Sequence, residues 1–260
     1  MISCIKNTKT PLIAVYGANG WIGTLFVNYL LSQKVDIYVG HAKGDSEQDF
    51  IAELKQIKPT HVISFIRRKT SKDIDQDVKD NLYAPLTMAD ICEYLGIHMT
   101  YIGLITKEIN EETAVKQYTD RLIRKYNILH FKINKPISSD LHSSGLLHKL
   151  TSLKELINPN KEAITVLDDF FPIWLDLMKH YKTGEYNCVN PGTITNQEIL
   201  TEYRKIINPE HPQLVNPLDT EPLQDSVDIS KILKRYPYIP NIQLSVKMIL
   251  TKIKKKNTTK

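Results

Sequence analysis

The stretch Leu12 to Gly23, LIAVYGANGWIG, constrains this chain more than any other. An apolar run, Leu12 to Tyr16, ends at Gly17; Gly20 and Gly23 follow. Apolar residues at Trp21, Leu25, Phe26, Tyr29 and Leu30 then recur at helical spacing. The pattern predicts a strand, a tight turn and a helix start. Each glycine answers a different need: Gly17 the sharp turn, Gly20 the approach of backbone amides to a pyrophosphate, Gly23 close packing of the helix. Exposed amides and the helix dipole favour an anion at that end. A glycine triplet alone is a weak signal that an ordinary turn also explains. Between a strand and a helix it points to dinucleotide binding.

The rest of the composition narrows the class. With 260 residues the chain can bury one large core or two modest ones, and 42% hydrophobic with 24% charged residues is ordinary for a globular protein. The net charge of +5 is concentrated in the tail, Lys252 to Lys260, which lacks periodicity and is expected to be a solvated, frayed end. No aromatic residues interleave with its lysines, so it does not point to nucleic acid or to a membrane surface. Cys4, Cys92 and Cys188 show no disulfide or metal spacing, and the eight histidines show no ligand pairing. No signal-peptide core or membrane-length apolar run occurs. A cytoplasmic protein without a metal is the expectation.

Beyond the first helix, short apolar strands and helices alternate. Val35–Val39 predicts a strand, after which Gly40-His41-Ala42-Lys43 offers no carboxylate for the ribose hydroxyls. Lys43 mildly favours a 2′-phosphate, hence NADP, with NAD and a merely solvated lysine left open. Phe50–Ile57 predicts a helix and His61–Ile66 a buried strand, placing Ser64, Phe65 and Ile66 near the cofactor. The basic Arg67-Arg68-Lys69 could meet phosphates or solvent there. A helix over Asp77–Leu95, a strand over Ile97–Ile102, a helix through Tyr126 and a strand over Ile128–Ile133 complete a βαβαβαβαβ order. That order predicts an α/β Rossmann-type doubly wound parallel sheet, residues 1–140, followed by a smaller substrate lobe, residues 141–260. In the second half we expect helices over Gly145–Leu156, Leu167–Tyr181, Asn196–Ile207, Val227–Tyr236 and Ser245–Ile253, and short strands over Ala163–Val166 and Glu185–Val189. The aromatic stripe Phe170, Phe171, Trp174 reads as core.

Several segments, GANGWIG, KPTHV, DNLYAPLTMADIC, KPISSDL, VLDDFFP and TGEYNCVNPGTITNQEIL, resemble the bifunctional UDP-4-keto-6-deoxyglucose 3,5-epimerase/4-reductases. These nucleotide-rhamnose synthases are extended short-chain dehydrogenase/reductases close to dTDP-4-dehydrorhamnose reductase. The resemblance runs over nearly the whole chain in order. It implies a nucleotide-sugar substrate and a nicotinamide cofactor; a homodimer is left open. Gly17, Asn19, Gly20, Trp21 and Ile22 match the phosphate-binding loop, and Lys43 falls where the family has an arginine for the 2′-phosphate. Ser64, Phe65 and Ile66 border the cofactor, Asn81 supports the site, Pro136 lies against the nicotinamide, and Lys149 matches a lysine proposed for epimerisation.

The departures concern the chemistry. Reduction needs Tyr-x-x-x-Lys, the tyrosine giving a proton to the carbonyl oxygen and the lysine holding the ribose. Here Lys116 falls on the lysine and Glu112 on the tyrosine. A carboxylate beside a lysine is ionised and has no proton to give. The loop Gly103–Lys107 also lacks the family's epimerase cysteine. These residues leave two readings. One is an NADP(H)-dependent 4-keto reductase, with or without 3,5-epimerase activity, whose proton comes from Glu112, Tyr101, Tyr118 or water. The other is a catalytically impaired dinucleotide-binding relative with a regulatory role.

Overall fold

A computed structural model describes residues 11–44, 46–66, 74–105, 111–152, 160–212 and 227–258, the side chains of 111–113 excepted. The backbone forms two compact units. The first holds Met1–Ile102, Glu108–His130 and Leu177–Gly184; the second holds Gly103–Lys107, Phe131–Asp176 and Glu185–Lys260.

In the first unit β1 (Leu12–Tyr16) leads through the glycine turn into α1 (Trp21–Ser32), and β2 (Asp36–Val39) into α2 (Glu47–Ile57). Next come β3 (His61–Ser64) and a long helix in three parts: α3 (Ile74–Val78), a π-helical turn (Lys79–Tyr83) and α4 (Ala84–Tyr94). Then follow β4 (His98–Leu104), α5 (Glu111–Leu122) and β5 (Leu129–Ile133). With β6 (Gly184–Asn187) these strands make one sheet in the order β2-β1-β3-β4-β5-β6. β1 pairs in parallel with β2 and β3, and β3 with β4. The expected doubly wound α/β sheet is therefore what the chain builds. Both faces of β1 are covered: Ile13, Ala14 and Val15 are fully buried. On one side Ala14, Tyr16 and Val62 pack with Phe50 and Leu54 of α2 and with Met88 and Cys92 of α4. This burial explains the unbroken apolar runs of the sequence. It also pushes the Cys92 thiol up to about 12, so this cysteine is a core residue rather than a nucleophile.

The second unit has its own core. α6 (Leu146–Thr151), α7 (Leu167–Lys179, of which residues to Asp176 belong here), α8 (Asn196–Ile206), α9 (Ser230–Arg235) and α10 (Ile242–Thr258) are its helices. Leu147 and Leu150 of α6 cluster with Ile199 and Leu200 of α8 and Val246, Ile249 and Leu250 of α10. Phe131 and Trp174 stack with centroids 5.2 Å apart, so the aromatic stripe of α7 is core as read.

The motifs of this half are fasteners. Asn190 is 1% exposed. Its side chain donates to Asp169 Oδ2 (2.7 Å) and Ser245 Oγ (3.0 Å), and accepts from the Val166 N–H (2.9 Å). Thr195 and Glu198 form a reciprocal capping box at the start of α8. Asp168 accepts from the Ser139 N–H and hydroxyl (2.9 and 2.7 Å) and pairs with Lys252 at 3.1 Å. Burial alone would raise its pKa, but these donors hold the carboxyl below the usual range.

Two expectations are corrected here. Residues 163–166 make only an isolated bridge, Ile137 to Val166, because Thr165 and Asn134 tie that segment by side-chain bonds. The basic tail is not frayed through Thr258: α10 continues to there, with Ile253 buried, Lys252 paired and Lys256 Nζ donating to the Ser139 carbonyl (3.3 Å).

Candidate functional site

The strand order reverses at β1, whose neighbours are β2 on one side and β3 on the other. Crevices for ligands in open α/β sheets lie at the carboxyl ends of the strands at such a reversal. Here those ends are level: Tyr16 pairs with Ser64, and Val15 with Val39. The Phe65 N–H donates to Tyr16 O and the Gly40 N–H to Val15 O, both at 2.9 Å, carrying the alignment one residue further.

Gly17 turns away with φ +74°, a left-handed conformation that favours glycine. A Cβ there would stand 2.7 Å from the Phe65 carbonyl carbon. A Cβ on Gly23 would stand 2.3 Å from Gly17 O, so the helix sits directly on the turn. At Gly20, whose φ is −76°, a Cβ would meet only Gly17 O at 3.4 Å. Gly20 thus keeps the mouth of the turn open rather than supplying unusual dihedrals. It is the N-cap of α1 and as glycine offers no capping side chain, and no acidic residue lies in the first turn of the helix. Amides at a helix start of this kind favour an anion. Asn19 and Gly20 are exposed at the loop, with Trp21 and Ile22 half-buried behind them.

A cavity of about 480 Å³ opens beside this turn. Tyr16, Gly17 and Ile66 form one wall, Gly40 to Gly44 a second, and Gln76, Asp80 and Ala84 a third. It brings together three of the expected site residues, Gly17, Lys43 and Ile66. Ser64 is buried and its hydroxyl accepts from the Ile66 N–H at 3.3 Å; Phe65 packs its ring on Phe26 at 5.6 Å. Neither of these two residues lines the cavity. Arg67-Arg68-Lys69 lies outside the described residues.

Asn81 is buried in the π-helical turn. Its Nδ2 donates to Asp77 Oδ1 (2.7 Å), and its backbone carbonyl accepts from the Thr119 hydroxyl (2.5 Å). Thr119 lies on α5 three residues beyond Lys116, so the turn anchors the helix that carries Lys116. Lys116 is half-buried. Glu112 stands one turn earlier on α5, and its side chain lies outside the described residues. Of the other proton donors considered, Tyr101 is 2% exposed with its ring 5.2 Å from His130, and Tyr118 is 58% exposed. Pro136 and Lys149, both half-buried, belong to the second unit, the other expected site residues to the first.

The sequence reading missed Tyr16, Tyr38 and Glu53, which meet behind the cavity wall. Glu53 accepts from both tyrosine hydroxyls, at 2.7 and 2.9 Å, and from the His41 and Ala42 amides, at 2.9 and 3.1 Å. Burial alone would raise its pKa, but the four donors hold the carboxyl below the usual range. Burial and the neighbouring Glu53 push the Tyr16 phenol up. A signal was present: Glu53 shares a helix face with Phe50, Leu54 and Ile57, where a carboxylate is out of place.

A glycine turn at the reversal of a doubly wound parallel sheet is a Rossmann-type arrangement, and the chain's structural neighbours share this fold. Its relatives and neighbours include nucleotide-rhamnose synthases, as the sequence motifs suggested. The chain is 28% identical over 92% of its length, and 98% of the other's, to protein L780 of Acanthamoeba polyphaga mimivirus. The crystal structure of that UDP-rhamnose synthase superposes with a TM-score of 0.79 at 24% identity, covering 94% of this chain and 100% of that one. The Arabidopsis thaliana bifunctional dTDP-4-dehydrorhamnose 3,5-epimerase/dTDP-4-dehydrorhamnose reductase is 26% identical, covering 90% of this chain and 94% of its own. The Bacillus anthracis dTDP-4-dehydrorhamnose reductase in complex with NADP gives a TM-score of 0.77 at 15% identity, covering 94% and 98%. Other neighbours of this fold are complexes with NAD. No protein-family model matches the chain. Among the described residues no helix is long and apolar enough to cross a membrane.

Proposed function

We propose that this chain is a cytoplasmic NADP(H)-dependent reductase of a nucleotide-linked 4-keto-6-deoxysugar, carrying a UDP or dTDP group, in rhamnose synthesis. The observation that carries the reading is the uncapped start of α1 over the Gly17 turn, beside a cavity at the β1/β3 reversal. The residues fit a dinucleotide: the turn leaves space at Gly20, the N-cap of α1, and Lys43 lines the adjoining cavity. The likeness to the mimivirus and Arabidopsis proteins over nearly the whole chain supports the substrate class.

In this reading residues 1–140 hold the cofactor and residues 141–260 the sugar. Gly17, Asn19, Gly20, Trp21 and Ile22 receive the pyrophosphate, and Ser64, Phe65 and Ile66 border the adenosine. Asn81 fixes α5 and Lys116 holds the nicotinamide ribose, while the family resemblance assigns Pro136 to the nicotinamide and Lys149 to the sugar nucleotide. The dinucleotide, when bound, supplies hydride. The chain's own task is to place the ketone, exclude water and deliver one proton to the carbonyl oxygen. A carboxylate such as Glu112 has no proton to give once ionised, so it is poorly suited to that delivery.

This substitution favours a second reading, a dinucleotide-binding relative that does not turn over. One experiment separates the two. Purified protein is mixed with NADPH and UDP-4-keto-6-deoxyglucose while nicotinamide absorbance is followed. Oxidation at catalytic rates removes the second reading. No oxidation, with NADPH still raising the melting temperature, removes the first.

A further inference from the structure

Behind the cavity wall, the two oxygens of Glu53 divide four donors evenly. Oε1 takes the Tyr38 hydroxyl and the His41 N–H; Oε2 takes the Tyr16 hydroxyl and the Ala42 N–H. A carboxylate offers about four acceptor positions. All are filled, so Glu53 is not the carboxylate that receives ribose hydroxyls in many dinucleotide sites. What it grips is the loop after β2. Two successive amides of that loop end on its oxygens, and the Tyr16 ring lies against Gly40, where a Cβ would come within 2.3 Å of it. Gly44 closes the other end: a Cβ there would stand 2.9 Å from Ala84 Cβ. Between these fixed points lies Lys43, which lines the cavity.

We propose that Glu53 is the positioning residue for the adenosine end of the dinucleotide, holding the Gly40–Gly44 loop so that Lys43 meets the ribose 2′-phosphate. The inference rests on the dinucleotide reading above and adds a residue remote from the ligand that sets its affinity. Without Glu53 the His41 and Ala42 amides and two tyrosine hydroxyls lose a shared acceptor in a half-buried place. The loop then leaves the arrangement in which Lys43 faces the cavity. A glutamine keeps the size of the side chain but turns an NH₂ group toward two donors, so Glu53→Gln breaks the grip without opening a void.

The test uses the full chain and 2′,5′-ADP, which carries only the adenosine end, titrated by calorimetry beside NADPH and NADH. E53Q and K43A are each expected to weaken 2′,5′-ADP about tenfold. The double variant is expected to be no weaker than K43A, because Glu53 acts through Lys43. Nicotinamide mononucleotide, which does not reach the loop, serves as the control and should bind E53Q as it binds the parent. If E53Q does not fold, Y38F, which removes a single donor, carries the same comparison. Folded E53Q with a lowered melting temperature and parental 2′,5′-ADP affinity overturns the proposal, as do additive losses in the double variant. Parent protein that binds neither dinucleotide nor 2′,5′-ADP overturns the dinucleotide reading itself, a separate and recognisable failure.

Discussion

The amino ends of β3 and β4 carry a pair of buried histidines whose protonation the fold opposes. His61, 1% exposed, places Nε2 2.9 Å from the Met178 carbonyl and Nδ1 2.8 Å from the Thr60 hydroxyl. A carbonyl only accepts, so Nε2 carries the hydrogen, while Nδ1 and the Leu12 carbonyl (3.1 Å) compete for the single Thr60 hydroxyl proton. The His98 ring lies 5.1 Å away and that of Tyr181 4.6 Å away. Burial first, and then the neighbouring His98, bring the His61 pKa from 6.5 down to about 4. His98 is shifted the same way by burial. The unfolded chain therefore takes up a proton below pH 6.5 that folded His61 refuses until pH 4. Stability is full above pH 6.5, falls through this window and levels off below it. A pK difference of about 2.5 at about 1.4 kcal/mol each makes the His61 contribution about 3 kcal/mol. Urea unfolding at pH 7.5 and 4.5 measures it, against His61→Gln, which keeps an N–H donor and does not titrate. Glu53 and Asp168, whose carboxyls are held low, also lose stability in acid, but they do so in both proteins. The variant should lose about 2 to 3 kcal/mol less than the parent on acidification. Equal losses would refute the argument.

Two further perturbations address the site. Gly23→Ala places a methyl 2.3 Å from Gly17 O and should cost at least about 1–3 kcal/mol of stability, together with NADPH binding; parental melting and titration curves would show that the turn yields. Glu112→Tyr restores Tyr-x-x-x-Lys with Lys116 and should raise NADPH oxidation in the presence of the keto sugar by roughly 10²- to 10⁴-fold. No rise would show that the site lacks more than its acid.

The first unit was largely legible before folding. The strand–turn–helix at Leu12–Gly23, the unbroken apolar runs of β1 and β3 and their helical spacers come from local periodicity and from backbone needs that neighbouring residues impose. Local chemistry also marks where α2 stops: Pro59, which cannot continue a helix, follows the left-handed C-cap Lys58, whose φ is +52°. The second unit was less legible. Its most recognisable segment, VNPGTITNQEIL, is a fastener in which buried Asn190 joins Val166, Asp169 and Ser245. Those partners are 24, 21 and 55 residues away, and no local pattern announces them. The same holds for the tail, which reads as a solvated lysine run until Asp168 and Ser139 are brought beside Lys252 and Lys256.

From the sequence alone came the strand, glycine turn and helix at Leu12–Gly23, the parallel sheet that carries them, and the spacing that sets Glu112 four residues before Lys116. Turns, strands and motif residues depend on near neighbours, and near neighbours are written in order. Only the tertiary structure decided that Glu53 is saturated by Tyr16, Tyr38, His41 and Ala42, that Lys43 lines the cavity, and that Asn81 anchors α5 through Thr119. A hydrogen bond spanning 38 residues has no signature in either segment alone, because each partner's role depends on where the fold sets the other.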